Sequence, residues 1–304
     1  MASDEFTNLI ALVFATRVTP ADTVDEIRAG VEGLGALLPL MAGTETADVD
    51  VDAVAGRWFG VDRPALDDDG ESPVVLHFHG GGYVMANPGT HGALCSRLAH
   101  ACGGRVLSLD YRLAPEHPFP AAADDAVGAY RWLLAQDISS DRIVCAGDSA
   151  GGALALGVLV HARDSGIDQP AGAALMSPWV DVTGSGASIL ANAAVDPVLS
   201  PELLQHWATL YAGDALADPS ASPLFADLGG LPPVMVQVGS REILYDDALR
   251  TVERIVATGG EATMAVWDEM THWWQLFAGL VPEADAALDE LGAFVRRVTG
   301  TADT

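Results

Sequence analysis

Short runs of apolar, β-prone residues alternate with helix-like segments along most of the chain. The runs are VVLHFH (74–79), RVLSLDY (105–111), RIVCAG (142–147), AGAALMS (171–177), PPVMVQV (232–238) and ATMAVWD (262–268). Several are apolar throughout instead of alternating, which is typical of strands covered on both faces. The order of runs and helices predicts an α/β fold built on a mostly parallel, doubly wound sheet.

Helix-like segments lie near 90–101, 121–135, 150–164, 242–258 and 284–298, between and after the strand-like runs. Two regions do not follow this alternation. Residues 1 to about 50 are expected to be helical with Gly and Pro breaks, and residues 184–215 are an insertion between two strands. We therefore expect a single domain, residues 1–304, with a lid formed by these two regions.

The stretch GDSAGG, beginning at Gly147, carries the pattern G-x-S-x-G between an apolar run and a helix-like segment. Small residues around Ser149 allow the backbone to turn sharply from a strand into a helix. That turn exposes the serine hydroxyl at the start of the helix, as in the nucleophile elbow of α/β-hydrolases. Ser149 is the predicted nucleophile. The other interpretation, a glycine-rich helix start without chemistry, is less favoured in this context.

Three consecutive glycines follow the first apolar run in the stretch HFHGGGYV, which starts at His77. Acyl transfer creates an oxyanion, and backbone N–H groups arranged around it lower the reaction barrier. Side chains would obstruct that approach, so a glycine loop suits the task. We expect the N–H groups of Gly81, Gly82 and Ala150 to form an oxyanion hole, and His79 to shape the loop by hydrogen bonding.

Together, HGGGY, DYRLAPEHPFPAA (residues 110–122) and GDSAGG resemble the hormone-sensitive lipase family of α/β-hydrolases, in its bacterial esterase branch. The likeness runs from about residue 74 to 276. It implies the α/β-hydrolase fold, hydrolysis of small, short-to-medium acyl esters through an acyl-enzyme, no cofactor, no metal, and a lid from the N-terminal helices and the insertion. It also implies that residues 110–120 have a structural role.

A nucleophilic serine needs a histidine base, which comes last in the chain order of this fold. After Ser149 the candidates are His161, His206 and His272. His161 lies in the helix after the elbow, and His206 in the insertion. His272 follows the last strand-like run, where the resemblance places the base, and it is the predicted base.

The acid that orients this base is less clear from the sequence. The loop GSREILYDD (239–247) departs from the family's usual pattern, which has an aspartate early in the loop. Aligning its end with that pattern puts Glu242 at the acid's position. Asp246 and Asp247 remain alternatives, although both lie further into the following helix.

Aromatic side chains near the motifs are candidates for substrate binding: Tyr83, Trp179, Trp207 and Trp273, with Leu9, Val13 and Phe14 from the N-terminal segment. For each residue taken singly, an ordinary place in the core is the favoured interpretation, because aromatic residues are commonly buried for packing. Lactonase, thioesterase and amidase activities use the same residues and stay open. A ligand-binding protein with a decayed site is also possible, but the retained His272 disfavours it.

The net charge of −27 argues against nucleic acid or an anionic membrane as a partner, because like charges repel. The acidic N-terminal start, Asp4 and Glu5, and the lack of a spanning apolar run indicate a cytoplasmic protein. The three cysteines are too few and scattered for a disulfide framework or zinc site, and Cys145 is expected to be a buried thiol. Between monomer and homodimer the sequence does not decide.

Overall fold

The structure is a computed structural model that describes residues 2–15, 17–52, 54–61 and 69–301. Its strands are β1 (Thr44–Val51), β2 (Val54–Val61), β3 (Val74–Phe78), β4 (Arg105–Asp110), β5 (Ile143–Asp148), β6 (Gly172–Met176), β7 (Val234–Gly239) and β8 (Ala262–Trp267). They form one eight-stranded sheet in the order β1-β2-β4-β3-β5-β6-β7-β8. Neighbouring strands from β4 to β8 in that order are parallel, which confirms the predicted sheet.

The parallel strands β3 to β7 are buried on both faces, as their continuous apolar sequences require, whereas β8 lies half-exposed at the edge of the sheet. In β3 the side chains of Val74, Leu76 and Phe78 enter one apolar core, whereas Val75 enters the core on the opposite face. A strand with two buried faces has no reason to alternate polar and apolar residues. This burial fixes the strand ends, and therefore the loops that follow them.

The expectation that residues 1 to about 50 are helical is wrong for its last part. Thr44–Val51 is a strand that pairs antiparallel with Val54–Val61, and this second strand, missed from the sequence, pairs antiparallel with β4. The sequence TETADVDV is polar, and most of β1 is exposed or half-buried at the edge of the sheet. An edge strand with little burial does not need the apolar run by which the other strands were recognised.

The helices are α1 (Asp4–Val13), α2 (Val24–Gly35), α3 (Gly92–Cys102), α4 (Ala121–Ala135), α5 (Ala150–Asp164), α6 (Ser188–Ala191), α7 (Pro201–Ala212), α8 (Tyr245–Ala257) and α9 (Pro282–Val298). Side chains of α3 and α9 pack in the core on one face of the sheet, and those of α4, α5 and α8 in the core on the other. Thr23 and Glu26 form a capping box at the start of α2.

Within the described ranges, no helix combines the length and the apolar character needed to cross a bilayer. Cys95, Cys102 and Cys145 are all buried free thiols, as expected for Cys145. The loops after β3, β5, β7 and β8 leave the same edge of the sheet, because these strands are parallel. Open α/β sheets bind ligands at this edge.

Candidate active site

Ser149 lies in the turn between β5 and α5, in a backbone conformation that is unusual for a residue with a side chain. Its φ is 53° and its ψ is −121°. The surrounding structure holds this conformation, since the Ser149 N–H donates to the Met176 carbonyl at 2.9 Å. Strain of this kind concentrates at functional sites, where the fold imposes it.

The elbow is possible because residues around it are glycine. A Cβ placed on Gly151 would lie 1.8 Å from the carbonyl oxygen of Phe78 at the end of β3. No side chain fits there, so α5 can start against the neighbouring strand only with glycine at this position. Ala150 opens α5, and its N–H has no acceptor within the helix because it belongs to the first turn.

Hydrogen bonds orient two peptide groups of the glycine loop after β3. In each of them the carbonyl oxygen accepts the hydrogen bond, and this fixes the direction of the N–H group. His79 Nδ1 donates to the Gly80 carbonyl at 2.8 Å. The Gly81 carbonyl accepts from the N–H groups of Val84 and Met85 at 3.0 and 3.1 Å. In a trans peptide the N–H points opposite to the carbonyl. The N–H groups of Gly81 and Gly82 therefore point away from these contacts, and both glycines line the same cavity as Ser149.

Gly80, the first glycine of the three, is used differently. Its N–H donates to Asp148 Oδ1 at 3.0 Å, so it is not free for a ligand. Asp148 is buried beside His91 and His77, with 3.2 Å from His91 Nε2 to its Oδ2. Although burial opposes ionisation, these histidines hold the pKa of Asp148 well below its usual range. Sequence reasoning missed both Asp148 and His91; the only signal was an acidic residue beside the nucleophile.

His79 does shape the glycine loop in the structure. Its ring stacks on Tyr111 with 4.2 Å between centroids, and the Tyr111 hydroxyl donates to the His79 carbonyl at 2.7 Å. Burial, together with the neighbouring His91, lowers the pKa of His79 to about 3. The ring is therefore neutral over the range in which enzymes work, and it acts as a fixed hydrogen-bond donor.

His272 and Glu242 contact each other directly at the ends of β8 and β7. His272 Nδ1 lies 2.8 Å from Glu242 Oε2, and both side chains are buried. Burial disfavours the charged imidazolium, but the hydrogen bond with Glu242 and the negative charges of Glu242, Asp196 and Asp148 together outweigh it and raise the pKa of His272. A carboxylate in this position fixes the tautomer of the imidazole, leaving Nε2 to exchange protons.

The second oxygen of Glu242 is also held. Oε1 accepts from the Gly239 N–H at 2.6 Å and from the Ser177 hydroxyl at 2.7 Å. Ser177 follows β6, the strand next to β7, and sequence reasoning did not identify it. Its place directly after a buried strand of the parallel sheet was the signal that could have found it.

The two alternative acids lie elsewhere. Asp246 Oδ2 accepts from the Ser188 N–H, and Asp247 Oδ2 accepts from the N–H groups of Val180 and Asp181, each at 3.0 Å. Burial and the neighbouring Asp181 raise the pKa of Asp247 to about 8. The structure thus brings Glu242, and neither aspartate, into contact with His272.

Ser149 and His272 meet at a cavity of about 380 Å³. The structure describes no hydrogen bond between the two side chains, and in unliganded enzymes such contacts are often long until substrate binds. His161 instead lies in the last turn of α5 and contacts Arg131 of α4, at 3.1 Å. His206 lies half-buried on α7 and does not line the cavity.

The rest of the cavity is mainly apolar and comes mostly from the N-terminal segment and the insertion, with Trp273 from the loop after β8. Its apolar lining includes Val13, Phe14, Ile27, Val31, Leu34, Val198, Leu199, Leu203, Trp207 and Trp273. Tyr83 and Trp179 do not line it. Tyr83 stacks on Tyr211 at 3.6 Å and packs near Trp179, so both belong to the core beneath the glycine loop. Leu9 likewise packs against the core.

Comparisons with known proteins agree with this geometry. Residues 75–276 match a family described by its alpha/beta hydrolase fold. An acetyl-hydrolase of Streptomyces hygroscopicus is 43% identical over 239 residues, which cover 78% of this chain and 79% of the relative. An esterase of Acinetobacter venetianus is 39% identical over 223 residues, covering 73% and 74%.

Solved structures extend the likeness over nearly the whole chain. One is an esterase from the bacterial hormone-sensitive lipase family, 42% identical, with a TM-score of 0.92 and coverage of 99% of this chain and 100% of that one. Another is the esterase EstE5 soaked with p-nitrophenyl butyrate, 37% identical, with a TM-score of 0.90 and coverage of 98% and 100%. This chain belongs to the hormone-sensitive lipase family of α/β-hydrolases, in its bacterial esterase branch, and is a carboxylic ester hydrolase.

Proposed function

We propose that the enzyme hydrolyses short-to-medium acyl esters through an acyl-enzyme on Ser149, with His272 as base and Glu242 as the acid that orients it. The observation that carries the proposal is the 2.8 Å contact between His272 Nδ1 and Glu242 Oε2 beside a cavity that Ser149 lines. This arrangement supplies a nucleophile, a base and an orienting carboxylate in the order typical of the fold.

In the proposed reaction, His272 Nε2 accepts the Ser149 proton as the hydroxyl oxygen attacks the ester carbonyl. The resulting oxyanion accepts hydrogen bonds from the N–H groups of Gly81, Gly82 and Ala150. The imidazolium then protonates the departing alkoxide, and a water molecule repeats the sequence to release the acid. Glu242 stabilises the imidazolium throughout and keeps its own negative charge.

We further propose that α1, α2 and residues 184–215 form a cap over the site, and that the cap selects the acyl group. Most of the apolar wall of the cavity comes from these elements and the residues that join them, including Phe14 and Trp207, and Trp273 adds to it from the loop after β8. A cavity of about 380 Å³ is at the small end of the range for ligand pockets. One relative is named an acetyl-hydrolase, and the crystals of EstE5 were soaked with p-nitrophenyl butyrate. Both names support a small acyl group as substrate.

A panel of p-nitrophenyl esters of increasing acyl length tests the proposal. We expect kcat/KM to be greatest for short chains and to fall once the acyl chain exceeds the cavity. A flat profile, or an optimum at long chains, would contradict the proposed selectivity. The same assay on a cytoplasmic and a secreted fraction of the producing cells tests the cytoplasmic location that we propose for the enzyme.

A further inference from the structure

Three polar residues of the insertion are spaced four apart: Ser188, Asn192 and Asp196. The Asn192 N–H donates to the Ser188 carbonyl and the Asp196 N–H to the Asn192 carbonyl, both at 2.9 Å. These helix-like turns stack the three side chains on one side of the segment. Leu190, on the same segment, is 77% exposed instead.

All three side chains contact the backbone of the loop that carries Glu242. Asn192 Nδ2 donates to the Glu242 carbonyl at 2.8 Å, and the Ile243 N–H donates to Asp196 Oδ2 at 2.9 Å. These two contacts hold both ends of a single peptide group, between residues 242 and 243. The Ser188 hydroxyl donates to the next carbonyl, that of Ile243, at 2.7 Å.

Asp196 links this peptide group to the wall of the cavity. Its other oxygen, Oδ1, accepts from the N–H groups of Val198 and Leu199 at 2.9 and 3.1 Å, and both residues line the cavity. The side chain is completely buried, and burying a carboxylate is costly unless hydrogen bonds compensate. Here the compensating donors belong to the cap on one side and to the Glu242 loop on the other.

We propose that Ser188, Asn192 and Asp196 are positioning residues through which the cap fixes the triad acid. The inference rests on the proposed role of Glu242 in orienting His272. A peptide group held at both ends cannot rotate, so the Glu242 side chain leaves the backbone in one direction only. The cap therefore does more than cover the site, because it completes the support of the acid.

Asp196→Asn is the sharpest variant. An amide has one oxygen, which the two N–H groups of Val198 and Leu199 would occupy, so its NH₂ would face the Ile243 N–H. The substitution releases the Glu242 loop and leaves the cap turn intact. Asn192→Ala removes the hydrogen bond to the Glu242 carbonyl without a change of charge. This variant tests the proposal if Asp196→Asn does not fold. Leu190→Ala is the matched control on the solvent side.

We expect Asp196→Asn and Asn192→Ala to lower kcat by about 10- to 100-fold, the scale of a small misplacement of catalytic groups. KM for p-nitrophenyl butyrate should stay within about twofold, because the cavity wall is unchanged. Leu190→Ala should keep the wild-type values. An unchanged kcat in folded Asn192→Ala, or a rise in KM alone, would overturn the proposal.

A double-mutant cycle separates positioning from a general loss of structure. In a Glu242→Gln background, residues that act through Glu242 should lose their effect, so that adding Asn192→Ala changes kcat by less than about twofold. Equal losses in both backgrounds would refute the inference while leaving the proposed function intact. If Glu242→Gln itself kept full activity, the proposed acid, on which the inference rests, would be refuted instead.

Discussion

The edge of the sheet that carries the proposed triad and the proposed cap are built by different means. At the edge, Ser149, Glu242 and His272 each follow a parallel strand, and directed hydrogen bonds fix them, such as the 2.6 Å contact from the Gly239 N–H to Glu242. The N-terminal helices line the cavity mainly with apolar side chains, although Arg28 of α2 also donates to the carbonyls of Val84 and Ala114 at 2.8 and 3.0 Å. Many of their side chains are half-buried or exposed, as with Leu12 at 77%.

The two kinds of contact suit two different tasks, the chemical step and the selection of the acyl group. Directed hydrogen bonds fix angles and distances, which the chemical step needs, so changes at the edge should act on kcat. Apolar contacts are non-directional and tolerate small shifts, so changes in the cap helices should act on KM and on the choice of acyl group. The Asp196 contacts are the exception, because they join the two regions.

The largest effect is expected from the nucleophile. Ser149→Ala removes the attacking oxygen, and kcat for p-nitrophenyl butyrate should fall by on the order of 10⁶-fold, the loss seen when a triad is removed. The serine lines the cavity and the substitution removes only one hydroxyl, so the thermal unfolding midpoint should change little. Substantial turnover by the folded variant would mean that another residue is the nucleophile.

The acid comes next. Glu242→Gln keeps the shape of the side chain but loses the charge that fixes the imidazole tautomer, so kcat should fall by about 10⁴-fold. Asp246→Asn and Asp247→Asn serve as controls, since neither carboxylate contacts His272. Steady-state kinetics on all three folded variants decides between them. The opposite ranking would move the acid to an aspartate.

Ser177→Ala should have a smaller effect of the same kind. It removes one of the hydrogen bonds to Glu242 Oε1 and leaves that from the Gly239 N–H. A hydrogen bond to a charged group contributes about 1.5–3 kcal/mol, so kcat should fall by about tenfold or somewhat more. KM should be unchanged. A change in KM alone would mean that Ser177 acts on substrate and does not support the acid.

Much of the catalytic edge could be predicted from the sequence, because its residues are tied to local backbone requirements. Gly151 is an example. A Cβ at this position would lie 1.8 Å from the Phe78 carbonyl oxygen, so the turn requires glycine and the sequence motif identifies the turn. His272 could be placed because it follows a recognisable strand. Ser177 and Asp196 could not, since their roles depend on which strands and segments become neighbours in space.

The cap was predicted less well, again for a physical reason. Apolar residues in short amphipathic helices look alike whether they line a cavity or pack in a core. Thus Val13 and Phe14 line the cavity, whereas Leu9 of α1 packs against the core. The sequence of Thr44–Val51 does not identify it as a strand, because an edge strand with little burial needs no apolar run.

The pH dependence of kcat/KM tests the catalytic edge alone, because it requires no change in the cap. His272 must be neutral to accept a proton, so kcat/KM should fall as the pH drops below its pKa. Glu242 raises that pKa above its ordinary value of 6.5, and Asp196 and Asp148 act in the same direction. Glu242→Gln should therefore move the acidic limb of the profile to lower pH. The profile is measured on the residual activity of Glu242→Gln. If its acidic limb lay at the same pH as in the wild type, a group other than the His272–Glu242 pair would control it.

The smallest effect is expected from the apolar wall of the cap. Phe14 lines the cavity at the end of α1, and its ring lies 6.5 Å from that of Phe277. Phe14→Ala widens the cavity at the acyl side, so kcat/KM for longer p-nitrophenyl esters should rise relative to the acetate. Apolar pocket contacts discriminate by about 1–3 kcal/mol per methylene, so a change of about tenfold in this ratio is expected.

Leu12→Ala is the control for this prediction, because Leu12 is on the same helix but is 77% exposed and does not line the cavity. It should leave the acyl ratio unchanged. If Phe14→Ala lowered kcat equally for every ester, the N-terminal helix would support the catalytic edge and would not select the acyl group. In that case the division between a directed edge and a non-directional cap would fail for α1 as it does for Asp196.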